Sequence, residues 1–392
     1  MVILFWLVTL PTYLYTNFAF FSTLMAIAQY LLTGWMLIDF INKKFKNCST
    51  MLWLIMISMV IEVIVSFYNP YALPSDAIIS AIKSVGFLWL IRYEIKKEPD
   101  FFLSVNVYLF GAYVLINLLT LILFPNGMYR MGAYTSCYFL GYDNTHINLQ
   151  LRAMALACMY SAYKKGRIGI GPWFIVVISF VSALITMSAT TIIGIIVFVI
   201  ALLAMTIIRL FKSEKKYMPT PLVTYISGAV VSILLIGGSS FGGIKDTILN
   251  LFGKDSTLAA RTLIWRNSLN QILKSPFWGF GSESSDTINS KLVAIQGQTG
   301  WGTSTHNFYL MILYIGGICL MVVITLMFLI LNNKYNEANR HLVATVCAAW
   351  ILCYITMGIT ESHYDGNFRI TMIYLDSLLY MIVQKNHGKE NG

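Results

Sequence analysis

Apolar residues run through this chain in stretches of about 20, separated by short polar breaks. A hydrocarbon core about 30 Å thick takes roughly 20 apolar residues per helix. The pattern predicts helices near 51–69, 77–95, 101–124, 145–163, 172–187, 189–208, 221–240, 307–331, 341–360 and 366–384. Before them, Met1 to Ile38 is uncharged and too long for one span. Pro11 interrupts it, whereas the other eight prolines fall in loops or at span ends, where a missing N–H costs least. Two helices, roughly 2–20 and 22–41, are read there; the alternative is one long span behind a peripheral N-terminal segment. The expected fold is an all-α polytopic integral membrane protein with about 12 transmembrane helices. Its parts are a membrane bundle of nine helices over 1–240, an extracytoplasmic loop over 241–306, three helices over 307–384 and a cytoplasmic tail over 385–392.

Inside that loop, Leu258, Thr262, Trp265, Leu269 and Ile272 recur at i, i+4, i+7, i+11 and i+14, one face of a helix near 257–273. Asp255 and Ser256 are cap residues for it, and Ser275-Pro276 stops it. Arg261 and Arg266 fall on opposite shoulders of the stripe, so the helix is expected at the bundle mouth with its arginines at the water boundary.

Composition removes the rival classes. At 57% hydrophobic, 11% charged and a mean hydropathy of +0.70, the chain departs from soluble domains, which carry roughly 25% charged residues. Disorder, coiled coil, a secreted disulfide scaffold and a nucleic-acid-binding domain are all excluded. The net charge of +10 is a matter of topology. Seventeen of 27 Lys and Arg sit in six short segments, at 43–46, 92–97, 164–167, 209–216, 334–340 and 385–389. The short segments between them hold only Arg130. That alternation is the positive-inside rule and predicts both termini in the cytoplasm. A signal peptide is not expected, because no basic region precedes the first apolar run. The six cysteines show no metal spacing.

Ionisable residues within a membrane are costly and default to function. They are Glu62, Lys83, Arg152, Arg369 and Asp376. Glu62 and Lys83 lie at similar depth, roughly 10 Å in, and are expected to form an ion pair. Arg152 and Arg369 have no evident carboxylate at matching depth, and unpaired arginines below an outer loop suit a phosphate or pyrophosphate. His146, His306 and His363 are expected at the outer boundary with Asp143, Glu361 and Asp365, which supplies general-base candidates for group transfer.

Ala260-Arg261-x-x-x-Trp265, then Ser275-Pro276-Phe277-Trp278-Gly279-Phe280-Gly281, then His306-Asn307 opening a helix with Gly316-Gly317, resembles the O-antigen ligase/polymerase-like family. Gly141-Tyr142-Asp143-Asn144-x-His146 is similar to a segment of Gram-positive, Wzy-type capsule polymerases, and Ser188–Gly194 to a Ser/Thr turn of the same fold. The ligase-type Ser-Arg after the seventh span is absent, since Ser188-Ala189-Thr190 stands there, and so is the polymerase pattern of Arg, ten residues, then Gly. The resemblance implies a GT-C-like glycosyltransferase in the bacterial cytoplasmic (inner) membrane, inverting and independent of metal or cofactor. Its donor would be an undecaprenyl-pyrophosphate-linked oligosaccharide in the lipid bilayer, and its product a capsule or exopolysaccharide. By the same resemblance Arg261 neutralises the departing pyrophosphate and His306 acts on the acceptor hydroxyl. Arg152, Arg266, Arg369, Glu361 and His146 would bind substrate. A flippase and a chain-length regulator are the implied partners, and nucleic acid is not one. The rivals are an O-antigen ligase of the same family, a related peptidoglycan polymerase using an outer-loop Asp (Asp246, Asp255 or Asp286), and a lipid-linked oligosaccharide flippase.

The charge alternation generates a topology test. A cysteine placed at Ser284 should react with an impermeant thiol reagent in intact cells, and one placed at Lys215 should not. Reversed labelling would invert every assignment of inside and outside.

Overall fold

The computed structural model describes residues 1–43, 48–131, 134–211, 219–238, 256–293, 304–339 and 341–390. Lys44, Lys46, Lys212, Lys215, Lys216, Asp246, Asp255 and Arg340, invoked above, lie outside the described residues. Helices dominate, in the order α1 (Val2–Val8), α2 (Thr12–Asn17), α3 (Ala19–Asn42), α4 (Thr50–Tyr68), α5 (Pro74–Lys97) and α6 (Pro99–Leu123). Then come α7 (Asp143–Lys165), α8 (Ile170–Thr186), α9 (Ala189–Phe211), α10 (Pro221–Gly238), α11 (Ser256–Ile272) and α12 (Ser285–Leu292). The last three are α13 (Phe308–Ala338), α14 (Leu342–Gly358) and α15 (Gly366–Glu390). Local chemistry sets their ends. Pro74 and Pro99 open α5 and α6 at positions where no intrahelical N–H bond is lost. Ser49 Oγ accepts from Leu52 N at 3.1 Å to cap α4. Lys96–Lys97 and Lys164–Lys165 sit in the last turns of α5 and α7, against the negative helix end.

Six described helices are long and apolar enough to cross a membrane: α3 to α6, α9 and α13. Three shorter apolar helices, α8, α10 and α14, stand with them. Large apolar side chains are exposed on their outer faces, such as Ile64, Ile122, Val177, Ile200 and Leu234. Hydrocarbon is the medium such a surface requires. This is a multi-pass membrane protein. α14 is its buried axis, wrapped on nearly every side, with Ala344, Ala348 and Ala349 keeping that helix thin where its neighbours press on it.

Two expectations need correction. The helix expected over 2–20 is broken into α1 and α2, because Pro11 has no N–H to continue the ladder. The broken segment is nevertheless packed: Phe5 is fully buried against Phe87, Phe102 and Phe110, with ring centroids 5.8, 5.1 and 6.0 Å away. Further along, Thr12 Oγ1 donates to Leu140 O at 3.1 Å. The chain is also not purely α. Tyr129–Met131, Tyr134–Tyr138 and Gly141–Tyr142 form a three-stranded antiparallel meander, β1-β2-β3, between α6 and α7. A run of about 18 polar-and-aromatic residues carries too little apolar periodicity to announce such short strands.

The helix near 257–273 is present as α11, but rotated from its expected stripe. Ile264, Trp265, Ser268 and Ile272 are buried, while Leu269 is 38% exposed. Ser268 can be buried because its Oγ donates to Ile264 O at 2.7 Å. This face packs with Ile236, Leu310 and Tyr314 into a cluster separate from the main core.

The Ser275–Gly281 turn is a joint. α13 breaks at Gly317, whose φ is 59° and ψ −155°. The freed backbone bonds the turn instead: Ile318 N donates to Pro276 O at 2.9 Å, and Cys319 N to Phe277 O at 3.2 Å. In return Phe280 N donates to Tyr314 O at 2.7 Å, and Gly281 N to Ile315 O at 2.8 Å. Gly279, at φ 72°, lies so close that a Cβ there would sit 2.6 Å from Tyr314 O. On the far side, Ser282 N donates to Ser66 Oγ at 2.8 Å, and buried Glu283 takes bonds from Asn69 (2.6 Å) and Tyr314 (2.7 Å). Lys291 Nζ lies 2.5 Å from the same carboxylate. The turn thereby clamps α4 to α13.

This joint can be tested at Gly317. A Cβ there would sit 2.4 Å from the carbonyl carbon of Phe277, on a backbone that L-residues avoid. Gly317→Ala should cost more than the roughly 1–3 kcal/mol of backbone strain alone, read as a lower melting temperature in detergent. Unchanged melting would show that the turn does not anchor α13.

Candidate functional site

At the loop end of the bundle, one carboxylate gathers residues from four parts of the chain. Glu361 lies in the short segment between α14 and α15. Its Oε1 accepts from Arg261 Nη2 of α11 at 2.6 Å and from Thr190 Oγ1 of α9 at 3.4 Å. Its Oε2 meets His306 Nδ1, just before α13, at 3.1 Å. All three charged or titratable side chains are mostly buried yet reachable, at 17% exposure for Arg261, 14% for Glu361 and 24% for His306. Burial pushes the Glu361 carboxyl up, but the His306 hydrogen bond and the Arg261 charge outweigh it and hold the group below its ordinary range. Glu361 is therefore ionised and can only accept, so His306 Nδ1 carries the proton that faces it.

The residues around His306 fix that arrangement. Its backbone is left-handed, at φ 47°, a conformation that costs a side-chain-bearing residue of order 1–3 kcal/mol and needs holding. Trp265 Nε1 donates to His306 O at 3.1 Å, which ties the peptide to α11. Asn307 does more. Its Oδ1 caps α13 by accepting from Tyr309 N and Leu310 N, both at 3.0 Å. Its Nδ2 donates to Ser232 Oγ of α10 (3.0 Å) and to Ile359 O (2.9 Å), two residues before Glu361. In the His-Asn pair, the histidine faces the site and the asparagine builds it.

The two weaker echoes also meet. Ser188 Oγ donates to Asn144 Oδ1 at 2.9 Å and pairs with Thr191 Oγ1 at 2.8 Å, so the start of α9 is tied to the start of α7 beside Glu361's segment. Thr190 is the site residue that sequence reasoning passed over; it was visible only as part of a Ser/Thr turn.

The other expected site residues fall elsewhere. His146 is not at the mouth: it is 1% exposed, with Nε2 3.0 Å from Gly141 O and Nδ1 3.4 Å from Asn117 Nδ2. Both ring nitrogens are used in joining α6 to the meander. Arg266 is exposed, on the side of α11 away from the buried face. Arg369 is not an unpaired guanidinium. It bonds Glu62, which also accepts from Tyr364 OH at 2.7 Å. The expected Glu62–Lys83 pair is consequently absent, and Lys83 Nζ lies over the Tyr30 ring at 5.7 Å. Depth along a helix was matched correctly, but azimuth decides who meets whom, and α5 turns Lys83 towards α3. Arg152 is 6% exposed and donates from Nη2 to Asn367 Oδ1 at 2.9 Å, while its buried Nε has no partner. Of the arginines expected to bind phosphate, Arg152 and Arg369 each keep a buried Nε without a partner, but the Arg369 guanidinium is held by Glu62. Between it and Glu361 lies His363, whose imidazole burial holds neutral against the pull of Asp365 and Glu361.

The pairing can be told apart by single substitutions. Glu62→Ala leaves Arg369 buried without its counter-charge and should cost about 3–5 kcal/mol, whereas Lys83→Ala should cost far less. Thermal unfolding of the purified variants in detergent reads the difference; equal losses would restore the Glu62–Lys83 reading.

Residues 174–325 match the family model described as O-antigen ligase. That stretch runs from within α8 into α13 and contains Arg261, Trp265 and His306, but not Glu361 or Arg152. The chain is also 35% identical over 72 residues to the exopolysaccharide production protein ExoQ of Rhizobium meliloti (strain 1021), covering 16% of this chain and 17% of that protein. The match thus spans about a sixth of the relative's length. The resemblance to the O-antigen ligase/polymerase-like family read from the motifs is shown by these matches.

Proposed function

We propose that this chain polymerises lipid-linked oligosaccharide repeat units into a surface polysaccharide, by glycosyl transfer at the cluster around Glu361. The observation that carries the reading is the carboxylate shared by Arg261 and His306, two residues that the motifs single out and that both lie within the stretch matching an O-antigen ligase model. In the proposed reaction the acceptor sugar hydroxyl gives its proton to His306 Nε2, while the Nδ1–H···Glu361 bond orients the ring. The oxygen attacks the anomeric carbon of the donor, and the bond to pyrophosphate breaks with inversion. Arg261 meets the charge that grows on the departing phosphate oxygens, where a planar guanidinium gives two parallel donors. Arg152, with its unspent Nε, is the second phosphate ligand in this scheme.

The finer assignments belong to the same proposal. The loop end faces outward, both termini are cytoplasmic, the span count is about twelve, and the donor is linked to undecaprenyl pyrophosphate. The inward bias of Lys and Arg supports that orientation. A ligase of the same family is the second reading, favoured by the description of the matching model. It would use the same chemistry with a different acceptor.

Purified protein given lipid-pyrophosphate-linked repeat units in detergent tests the proposal. Wild type should lengthen the glycan and release free lipid pyrophosphate. His306→Ala should slow this by about 10²–10⁴. Arg261→Lys, which keeps the charge but loses the fork, should stay strongly impaired. Glu361→Gln should also be impaired, because an amide can donate to Nδ1 and leave the proton on Nε2 instead. Transfer only to an acceptor without lipid pyrophosphate would favour the ligase. An inactive wild type that moves lipid-linked glycan across liposomes would put a flippase in its place.

A further inference from the structure

The opposite end of the bundle holds a second charged cluster that the proposed reaction does not use. Asp376 of α15 is fully buried and shared by two cations, Arg92 Nη1 of α5 at 3.2 Å and Lys334 Nζ of α13. Two cavities of about 220 and 250 Å³ adjoin this cluster, and both are lined by Arg92 and Lys96. The first lies between α5 and α15 and includes Ser377 and Tyr380. The second lies beside α3 and includes Lys43, Trp89 and Lys97.

The walls of these cavities hold three buried polar atoms with no hydrogen-bond partner in the protein: Arg92 Nε, Trp89 Nε1 and Ser377 Oγ. Their residues are 8%, 0% and 2% exposed. Buried polar groups in native proteins are almost always satisfied. The first two can only donate, and the third can donate. A ligand that completes the donors of either cavity is therefore rich in acceptors and carries negative charge, which one carboxylate between two cations also favours. Tyr380 holds the guanidinium in place, with Arg92 Cζ 4.4 Å above its ring. Exposed Lys96 and Lys97 rim the opening, at the helix end where the membrane meets water.

We propose that this end of the bundle binds a phosphate diester, the headgroup of an anionic phospholipid in the leaflet on the basic side. The phosphate sits in the first cavity, where its oxygens accept from Arg92 Nε and Ser377 Oγ, and Lys96 supplies charge at the rim. A lipid is the occupant because the cavities sit between helices at a membrane boundary, with acyl chains free to lie along the exposed apolar face of α3, which carries Leu37, Ile38 and Ile41. The site lies at the far end from Glu361, and it stands or falls independently of the glycosyl-transfer reading.

Native mass spectrometry of the purified full chain, stripped of lipid and titrated with dioleoylphosphatidylglycerol, tests this by binding alone. One phosphatidylglycerol should be retained at least about tenfold more tightly than dioleoylphosphatidylcholine, which carries a compensating cation. Ser377→Ala removes a donor from the first cavity without touching the Asp376 ion pairs, and should erase much of that preference. Lys96→Gln should weaken it in part, with melting unchanged in lipid-free detergent. Equal retention of the two lipids, or variants indistinguishable from wild type, would overturn the proposal. Displacement of phosphatidylglycerol by an equal concentration of inorganic phosphate would overturn the lipid assignment and leave a free-phosphate site.

Discussion

A polar group in hydrocarbon has no water to fall back on, and an unpaired one costs several kcal/mol. Much of this structure follows from that constraint. Inside the bundle, Asn106 receives Tyr374 OH, and Asn117 holds both His146 and Leu140 N. Glu62 is answered by Arg369 and Tyr364, and Asp376 by Arg92 and Lys334. The Asn106, Glu62 and Asp376 contacts join segments distant in sequence, so polar satisfaction doubles as tertiary specification. Apolar packing against lipid-like neighbours provides little of that on its own.

The same constraint makes the exceptions informative. Where a buried donor is left over, as at Arg152 Nε, Arg92 Nε, Trp89 Nε1 and Ser377 Oγ, an acceptor from outside the chain is the economical explanation. The first lies towards the loop end and fits a pyrophosphate in the proposed reaction. The other three lie at the basic end, where Arg92 Nε and Ser377 Oγ fit a headgroup. Under the two proposals, the ends of one bundle would meet phosphate in different forms: transient and reacting at one, resident at the other.

The Glu361 cluster shows how precision is reached on loops. His306 and Glu361 both sit outside helices, where position is usually loose. Here Asn307 bonds α10, the first turn of α13 and the carbonyl of Ile359 at once, while Trp265 grips the His306 carbonyl. The Ser275–Gly281 turn in turn seats in the break of α13 at Gly317. Motif residues that resemble a family pattern therefore divide by task. His306 and Arg261 face the carboxylate, and the Asn, Trp, Pro and Gly positions build the frame that holds them.

The sequence by itself determined what depends on local pattern. Runs of apolar residues announced α3 to α10 and α14 to within a few residues, because a span must match the bilayer thickness. α13 and α15 run on past their expected ends at 331 and 384, and the short polar α12 had no such run to announce it. Pro11 was visible as an interruption, and the motifs pointed to Arg261 and His306. Only the tertiary structure decided what depends on azimuth and long-range meeting. It replaced a Glu62–Lys83 pair by Glu62–Arg369, rotated α11 so that Ser268 rather than Leu269 is buried, turned Arg266 to the exposed side of that helix, and buried His146 away from the mouth. It brought Thr190 to Glu361 across 171 residues. Depth can be counted along one helix at 1.5 Å per residue, but the side of a helix that meets a partner is set by all its neighbours together, and no local pattern carries that information.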